Sequence, residues 1–549
     1  MKKQKHIFSF LLSAMILMSG FSGCSNGDTG SSTMGSSGAS SSAEGDSSAV
    51  TEVDGQDNDD PVEISIAFWD IDANMQGDKV QRDIEDRVNI KIKPVNVSWD
   101  DFVEKVQLWA ASDSLPDMFT GAFRTSGSFS KWANEGLLKE IPKDLSAYPN
   151  LETYLDSPET ETCKVGDGIY CIFRQTYLEQ YETIKDRKIL YRWDLAQKSG
   201  ITKEPENWDA FRDMIQAIKA ADPMGNNIQG LTGVPAPQMI GVFFTYSMPL
   251  AMDKGVVFHW IDDGNGGYIP AYMAGETLGA DALPTWNLVR DMYDEGTIEP
   301  DIAMTTSTQG EEKFLNGQVA AACMASDFAS TYTNFGQYWK DIYGTEYMDD
   351  VKVLDIMPSV DGKDYYNVWD YAWSENYINA KVDEVKLDRI LSLYDFMLSP
   401  EGAVLASYGY EGDTYEILDD GRIGFIDDIP AYDVYPSVNV FRSLTDWMYG
   451  LEDPAGFKTE FPDEYLAVDA ARVARAKAID MPEFSQECTN AFIALDTDFT
   501  MDVEEDFINI MTGAQPVEEM WAEIIEGYQA RGMADIIKQV NEAVHSDPQ

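Results

Sequence analysis

The sequence contains very little histidine. Three of its 549 residues are histidine, and two of them, His6 and His545, lie close to the chain ends. Zinc sites built on histidine pairs, and serine or cysteine nucleophiles that depend on a histidine base, would therefore have to use His259. The shortage of histidine makes these enzyme classes poor candidates and leaves carboxylate chemistry as the main catalytic alternative.

Basic residues are also scarce. Lys and Arg together number 40 against 95 Asp and Glu, so the formal net charge at pH 7 is −55. Phosphate backbones and anionic lipid surfaces are bound through Lys and Arg, and a chain this acidic is repelled by both. We therefore expect no nucleic-acid partner. The length and the hydrophobic content of 44% indicate a globular protein of roughly two to four domains.

The sequence has no apolar run long enough to predict a membrane-spanning helix. Its longest such run, residues 7–21, falls short of the roughly 18 residues that a span needs. Three lysines precede this run, and small residues with Cys24 follow it, so we assign residues 1–24 to an export signal. The end of the signal resembles a bacterial lipobox, in which Cys24 is diacylated, although Phe21 stands where that motif usually has Leu. The alternative is cleavage near Gly23 without a lipid.

Residues 25–60 have the composition of a disordered tether. They include 10 Ser, 6 Gly and 8 acidic residues but no Lys, Arg, aromatic residue, Leu or Ile, so they cannot bury enough apolar surface to offset the entropy of ordering. A flexible chain of this length has a reach of about 30–35 Å. The segment would hold a folded body away from a membrane surface.

Cysteine is too rare for a disulfide framework. Apart from Cys24 the chain has Cys163, Cys171, Cys323 and Cys488. The first two flank a predicted hairpin with a three-residue loop at 166–168, which would place them opposite each other. A disulfide between them is possible, but two free buried thiols are favoured because adjacent strands often fit disulfide geometry poorly.

The first part of the body predicts a β-α-β-α-β order. Strands are expected at 62–68, 90–92 and 116–120, with amphipathic helices at 77–88 and from Ser98 onward. Strands that alternate with helices imply a mostly parallel sheet, and such sheets bind ligands beyond the carboxyl ends of their strands. Later segments predict a helix at 208–221 capped by Asn207, a hairpin across 256–272, helices at 282–296 and 308–317, a buried strand at 319–325 and a mainly helical last third.

Tryptophan and tyrosine are abundant, at 13 and 27 residues. A sugar presents apolar C–H faces and many hydroxyls, so its binding site needs aromatic plates beside hydrogen-bonding groups. In an extended segment Trp369, Tyr371 and Trp373 would share one face, and Trp69 with Asp70 would lie at the end of the first strand. The alternative for residues 368–373 is an ordinary strand that buries its aromatic residues in the core.

No motif predicts a cofactor or a metal. The sequence lacks the Gly-x4-Gly-Lys-Ser/Thr loop that cradles phosphates. The spacing of polar residues in 222–230 is similar to that of a calcium-binding loop. However, Met224 occupies a position that needs an oxygen ligand, and no acidic residue closes the loop. With 95 acidic residues, carboxylate pairs of the glycosidase type cannot be selected by spacing. We expect no cofactor, no metal and no catalytic residue.

Several short strings, in order along the chain, resemble those of extracellular solute-binding proteins of family 1, lipoprotein type, which serve carbohydrate ABC importers of Gram-positive bacteria. They are D-S-L-P-D-M-F (113–119), W-A-N-E-G-L-L-K-E-I (132–141), G-D-G-I-Y (166–170), I-L-Y-R-W-D-L-A-Q-K-S-G-I (189–201), V-R-D-M-Y-D-E-G-T-I-E-P (289–300), F-L-N-G-Q-V-A-A (314–321), S-P-E-G-A-V-L-A-S-Y-G-Y-E-G (399–412) and F-I-N-I-M-T-G (507–513).

The resemblance implies an α/β, two-lobe, periplasmic-binding-protein-like fold with a hinge and a ligand cleft between the lobes. The N-terminal lobe is expected to comprise 61–174 plus 330–383, with strands at 351–357 and 368–378 returning to its sheet. The C-terminal lobe, largely helical, is expected to comprise 175–329 plus 384–545.

The resemblance also implies a function. We expect a lipid-anchored receptor, on the extracellular face of the cytoplasmic membrane, that captures a carbohydrate and delivers it to ABC transporter permease subunits. A non-enzymatic monomer is expected. The predicted ligand-binding residues are Trp69, Asp70, Arg174, Asp327, Trp369, Tyr371 and Trp373. The alternatives are a secreted glycosidase that uses two carboxylates, and a receptor for a peptide or another non-sugar solute.

Overall fold

The computed structural model describes residues 60–98, 101–234, 242–243, 259–271, 282–325, 327–359, 362–366, 368, 371–445, 461–495, 497 and 499–546. The predicted signal peptide and nearly all of the predicted tether lie outside the described residues. Within the described ranges, no helix combines the length and the apolar character needed to cross a bilayer.

Fifteen short strands are described. They are β1 (Val62–Trp69), β2 (Ile90–Val97), β3 (Met118–Gly121), β4 (Lys164–Val165), β5 (Gly168–Ile169), β6 (Ile172–Gln175), β7 (Lys188–Arg192), β8 (Gln229–Val234), β9 (Trp260–Asp262), β10 (Tyr268–Pro270), β11 (Val319–Met324), β12 (Val351–Val353), β13 (Ala372–Ile378), β14 (Tyr415–Ile417) and β15 (Ile423–Phe425).

The described α-helices are α1 (Ile71–Asn74), α2 (Lys79–Arg87), α3 (Phe102–Ala111), α4 (Gly127–Asn134), α5 (Pro149–Leu155), α6 (Trp193–Lys198), α7 (Trp208–Ala221), α8 (Leu283–Asp294), α9 (Ser307–Leu315), α10 (Gln337–Tyr343), α11 (Tyr347–Asp350), α12 (Glu384–Met397), α13 (Pro400–Tyr408), α14 (Ala431–Val434), α15 (Ser437–Thr445), α16 (Asp463–Lys477), α17 (Gln486–Ile493), α18 (Val503–Thr512), α19 (Val517–Ala530) and α20 (Met533–Ser546). The 3-10 helices lie at Pro158–Cys163, Gln180–Lys185, Ile302–Met304 and Ile426–Asp428, and a π-helix lies at Tyr332–Gly336.

Local sequence patterns explain many of these elements. Val80 and Ile84 repeat at helical spacing in α2, and both side chains are fully buried. Helix α7 begins where the Asn207 side chain accepts a hydrogen bond of 2.9 Å from the backbone N–H of Ala210. The predicted β-α-β-α-β order of residues 62–121 and the predicted helix at 208–221 are confirmed.

The first sheet has the strand order β2-β1-β3-β13-β6. Strands β1, β2 and β3 are parallel to one another, and β13 is antiparallel to both β3 and β6. The hydrophobic core of this sheet takes in residues from 64–173 and also from helices α12, α13 and α15. We call the sheet and this core the first lobe.

The second sheet has the strand order β12-β7-β11-β8. Strand β11 is parallel to β8 and antiparallel to β7, and β7 is antiparallel to β12. Two core clusters cover this sheet, and they include residues from α7, α8 and α16–α20. We call the sheet and these cores the second lobe.

Two expectations from the sequence are wrong. The strand predicted at 351–357 does not return to the first sheet, because β12 pairs with β7 at the edge of the second. The helices of residues 384–445 were assigned to the C-terminal lobe, but α12, α13 and α15 pack in the first-lobe core. In both cases the partner is chosen by tertiary packing, which local periodicity does not report. The wider division of the chain into lobes by sequence range stays a prediction.

The cysteine hairpin also differs from expectation. Strands β4 and β5 pair Val165 with Gly168, so the loop has two residues and not three. Cys163 therefore lies opposite Tyr170, whose N–H donates to its carbonyl over 3.0 Å. Cys163 and Cys171 are both buried free thiols, and burial together with their mutual hydrogen bond raises the pKa of Cys171 well above its usual value.

Candidate ligand-binding site

Several strands of the first sheet end at the same edge. The parallel strands β1 and β3 finish there at Trp69 and Gly121. Strand β13, which runs the other way, starts there at Ala372, and its partner β6 ends there at Gln175. This carboxyl-end edge is where ligands bind in open α/β sheets. The fold therefore brings together Trp69 and Trp373, which lie 304 positions apart in the chain.

Two predicted tryptophans form a stacked pair at this edge. The ring centroids of Trp69 and Trp373 are 5.6 Å apart, with 20° between the ring planes. Phe102 packs edge-on against Trp69 at 5.3 Å. Trp69 is 7% exposed, whereas Trp373 is half-buried. Of the two rings, Trp373 is therefore the one with exposed surface that a ligand can contact, and Trp69 packs behind it in the core.

Arg174 holds the tryptophan pair in place. Its guanidinium carbon lies 4.6 Å from the ring centroid of Trp69 and 5.3 Å from that of Trp373. Its Nε donates to the hydroxyl of Ser374 over 2.8 Å, and Nη1 donates to the carbonyl of Ser443 at the end of α15. Arg174 is completely buried. In this conformation it positions the aromatic residues and does not reach the surface.

Two residues at this edge adopt left-handed backbone conformations. Asp70 has a φ of 48° directly after β1, and Ser374 has a φ of 63° inside β13, where the pairing with β6 shifts register. Non-glycine residues in this region carry a conformational cost and are often found at functional sites. The turn leaves the Asp70 side chain exposed beside the buried Trp69.

Tyr371 lies two residues before Trp373 and is half-buried. Its carbonyl accepts hydrogen bonds of 2.9 Å from the N–H groups of both Thr176 and Tyr177, which fixes the start of β13 against the end of β6. Its side chain lines a cavity of about 400 Å³ in the first lobe. Trp369, the third predicted aromatic plate, lies outside the described residues.

Asp327 lies elsewhere, just after β11 in the second lobe. It is buried, and its Oδ1 accepts a hydrogen bond of 2.6 Å from the N–H of Ser330. It belongs to a charged group with Lys188, Asp469 and Arg472. Burial lowers the pKa of Lys188 to about 8, and the negative charges of Asp469 and Asp327 oppose that shift. Asp327 thus lies in the charged group of the second lobe, whereas the tryptophan pair lies in the first lobe.

Sequence reasoning missed a buried ionic cluster at the first-sheet edge. Nη1 of Arg124 lies 2.6 Å from Oε1 of Glu159, and Nε lies 3.4 Å from Oε2 of Glu375. Burial raises the pKa of Glu375, and Arg124 opposes that shift. No sequence pattern could have selected these two carboxylates from 95 acidic residues.

The two lobes contact each other through helix α4 of the first lobe. The hydroxyl of Ser130 donates to the carbonyl of Ile493, in the second-lobe core, over 2.9 Å. A Cβ atom on Gly127 would lie 2.5 Å from the carbonyl oxygen of Thr497, so this close approach requires glycine. These contacts show how near the lobes come on this side.

The described residues contain no cluster of three His, Cys, Asp or Glu side chains arranged to hold a metal ion. In the loop at 222–230 the Asp222 carboxylate accepts hydrogen bonds from the backbone N–H groups of Asn226 and Asn227, each of 3.1 Å. The sulfur of Met224 instead packs beside Gly317. The loop is organised as an Asx-type turn after α7.

Comparisons with known proteins agree with this architecture. The sequence profile of the bacterial extracellular solute-binding protein family matches residues 75–404. The lipoprotein LipO of Bacillus subtilis (strain 168) is 24% identical over 338 residues, which is 60% of this chain and 62% of LipO. The polygalacturonan/rhamnogalacturonan-binding protein YtcQ of the same strain is 22% identical over 354 residues, or 62% of this chain and 64% of YtcQ. The aligned regions span less than two thirds of either relative.

Solved structures show the same fold. The alginate-binding protein AlgQ2 without calcium ion superposes with a TM-score of 0.66 and 19% identity, covering 88% of this chain and 98% of AlgQ2. The S. pneumoniae substrate-binding protein FusA in complex with kestose gives a TM-score of 0.65 and 15% identity, covering 88% of this chain and 98% of FusA. The predicted two-lobe α/β fold is confirmed. Because the profile covers more than half of its length, the chain belongs to the bacterial extracellular solute-binding protein family.

Proposed function

We propose that this protein is a receptor that captures a sugar or oligosaccharide outside the cell and delivers it to the permease subunits of an ABC importer. The observation that carries the proposal is the Trp69–Trp373 pair at the ligand-binding edge of the first sheet. A partly exposed indole with a rigid ring behind it provides the flat apolar plate on which a sugar ring stacks. Among the similar proteins, YtcQ is a polygalacturonan/rhamnogalacturonan-binding protein, AlgQ2 is an alginate-binding protein, and FusA was solved in complex with kestose.

The proposed site lies in the cleft between the two lobes. Trp373 and Tyr371 would contact the ligand, with Asp70 as a hydrogen-bonding neighbour and Arg174 behind the plate. Trp369 and Asp327 would complete the site by sequence position. The protein performs no chemistry in this proposal, so lobe closure is driven by contacts that the ligand makes only in the closed state.

The proposed location is the extracellular face of the cytoplasmic membrane. Support comes from the lipobox-like end of the leader at Cys24, the acidic tether that follows it, and the name of the relative LipO, a lipoprotein. The tether would let a lipid-anchored, monomeric receptor sample solution while it stays near its importer.

A thermal-shift screen of the purified protein tests the ligand class. The panel contains neutral oligosaccharides, uronate oligosaccharides and peptides, because a ligand that binds only the folded state raises the melting temperature. We expect neutral oligosaccharides to raise it most, since a chain of net charge −55 repels polyanions. Stabilisation by peptides alone would contradict the proposal, and release of reducing ends from any glycan would show an enzyme.

A variant pair links binding to the site. Trp373→Ala removes the exposed plate, whereas Trp521→Ala removes a half-buried tryptophan of α19 in the second lobe. We expect the best glycan of the screen to lose most of its thermal shift with Trp373→Ala and to keep it with Trp521→Ala. Equal shifts for the two variants would place the site elsewhere.

A further inference from the structure

A cavity of about 340 Å³ lies in the second lobe, along the edge strand β12. Its walls also include residues of helices α11 and α16. The volume falls within the range of small-molecule sites, roughly 300–1,000 Å³. None of the described residues of the proposed sugar site lines this cavity. It is therefore a separate place in the fold where a small molecule can bind.

The lining of the cavity combines six apolar residues with five charged ones. The charged residues are Glu204, Lys352, Asp355, Arg472 and Arg475. Two of the three cations are neutralised within the protein. Lys352 pairs with Glu204 at 2.6 Å. Arg475 pairs with Asp355 and, at 2.9 Å, with Asp364. Arg472 takes part in neither of these arrangements.

Arg472 is buried without a hydrogen bond at two of its guanidinium nitrogens. The residue is 8% exposed, and its Nε and Nη1 are enclosed by the protein but donate to no described residue. Buried N–H groups in folded proteins normally have an acceptor, and a charged donor left without one is costly. Arg472 therefore brings to the wall of the cavity a buried cation whose hydrogen-bonding capacity is not used.

Two carboxylates attract the charge of Arg472, but both are engaged elsewhere. The Asp469 carboxylate accepts hydrogen bonds of 3.0 and 2.8 Å from the backbone N–H groups of Phe328 and Ala329. The second carboxylate, that of Asp355, is held in the ion pair on the same wall of the cavity. Neither carboxylate supplies an acceptor to Nε or Nη1.

The two arginines of the wall differ in how well their charges are compensated. Burial lowers the pKa of Arg472, although Asp469 and Asp355 oppose that shift. Burial acts on Arg475 in the same direction, but its hydrogen bond to Asp364 and the charge of Asp355 raise the pKa of Arg475 above its usual value. An additional negative group beside Arg472 would supply the compensation that Arg475 already has.

We propose that this cavity is an oxyanion-binding site, in which the Arg472 guanidinium binds the carboxylate or phosphate group of a small molecule. A guanidinium pairs with both kinds of oxyanion through charge-assisted hydrogen bonds. The apolar part of the wall would contact a short hydrocarbon body. The site is independent of the proposed sugar site, because the two have no described residue in common.

Calorimetric titration of the purified protein with butanoate and with inorganic phosphate, each at constant ionic strength in chloride, tests the site. We expect saturable binding of one anion per molecule. Binding of butanoate would identify an organic acid as the occupant, and binding of phosphate would identify a phosphate group.

Two variants link the binding to this cavity. Arg472→Met removes the guanidinium and keeps an apolar stem, and we expect it to weaken anion binding by at least about tenfold. Ala471→Phe, at an exposed position of the wall, places a ring in the cavity, and we expect a similar loss. The matched control is Arg531→Met, which removes an exposed arginine directly after α19 and changes the net charge by the same amount. The control and Trp373→Ala should bind the anion as the unaltered protein does.

Circular dichroism and melting temperature verify that the variants are folded. Ala471→Phe keeps Arg472 in place, so it keeps the test decisive if Arg472→Met does not fold. The proposal is overturned if the native protein binds neither anion saturably, or if a folded Arg472→Met or Ala471→Phe protein binds the anion as tightly as Arg531→Met. Loss of anion binding in a folded Trp373→Ala protein would also overturn it, because the anion would then occupy the sugar site.

Discussion

His259 should make the stability of the protein depend on pH between about 4 and 6.5. The residue precedes β9 in the second lobe and is 7% exposed, and its ring centroid lies 4.6 Å from that of Phe484. Burial lowers its pKa from 6.5 to about 4, partly opposed by a hydrogen bond to the backbone of Val368. His6 lies in the leader and His545 is exposed, so His259 is the one histidine of the folded core.

The sign and size of the effect follow from proton linkage. Between pH 4 and 6.5 the unfolded chain binds more protons at this site than the folded one, so stability is full above pH 6.5 and is lost as pH falls toward 4. The lowering of the His259 pKa corresponds to about 3 kcal/mol of unfolding free energy between pH 6.5 and pH 4. About 2 kcal/mol of it should be lost between pH 7.5 and pH 5.

Urea unfolding at pH 7.5 and pH 5, for the native protein and His259→Phe, measures this loss. Buried carboxylates such as Glu375, whose pKa is raised by burial, titrate in both proteins, so their contribution cancels in the comparison. We expect the native protein to lose about 2 kcal/mol more than His259→Phe on acidification, and His545→Gln to behave as the native protein. A difference below about 0.5 kcal/mol between the native protein and His259→Phe would refute the reasoning.

Three further outcomes are expected. Trp69→Ala should cost about 3–5 kcal/mol of unfolding free energy, as large-to-small core changes do. Trp373→Ala should cost less unfolding free energy but about 2–4 kcal/mol of glycan-binding free energy. Denaturation and binding calorimetry measure the two quantities, and a larger loss of stability with Trp373→Ala than with Trp69→Ala would contradict this assignment. Gly127→Val should clash with the carbonyl of Thr497 and increase the radius of gyration in X-ray scattering, and an unchanged radius would show that this contact does not hold the lobes together. Cys24→Ser should move the protein from the membrane fraction to the medium, and retention in the membrane would exclude the lipid anchor.

The hydrophobic periodicity of the sequence predicted the strands and helices whose formation depends on burying one face. The alternation in 62–68 and the helical spacing of Val80 and Ile84 report burial of one face, and each gave a strand or helix close to the observed bounds. The rule that ligands bind beyond the carboxyl ends of parallel strands also selected Trp69, which stacks on Trp373 at that edge of the first sheet. These inferences succeed because periodicity and strand direction constrain where a side chain points.

Partner choice between distant elements was not predictable in the same way. Strand β12 has three residues, too few to show any preference between two sheets, and it pairs with β7. Helix α12 carries an apolar face that would fit either lobe core, and it packs in the first. The ion pair of Arg124 with Glu159, and the approach of Glu375, arise from three separate segments, and only the assembled sheet edge brings their charges together.

The two lobes use a buried arginine in related but unequal ways. In the second lobe Arg192, at the end of β7, packs 4.5 Å from the ring centroid of Trp339 and pairs with Asp194 at 2.8 Å. In the first lobe Arg174 packs on the tryptophan pair, and its described hydrogen-bond acceptors are the Ser374 hydroxyl and a carbonyl at the C-terminal end of α15. A helix C-terminus carries partial negative charge, and indole faces attract cations, so both stabilise the buried Arg174 guanidinium. Arg174 thereby connects the aromatic plate to the last turn of α15. We expect a change in the position of Trp373 on ligand binding to alter the contact between Arg174 and the end of α15.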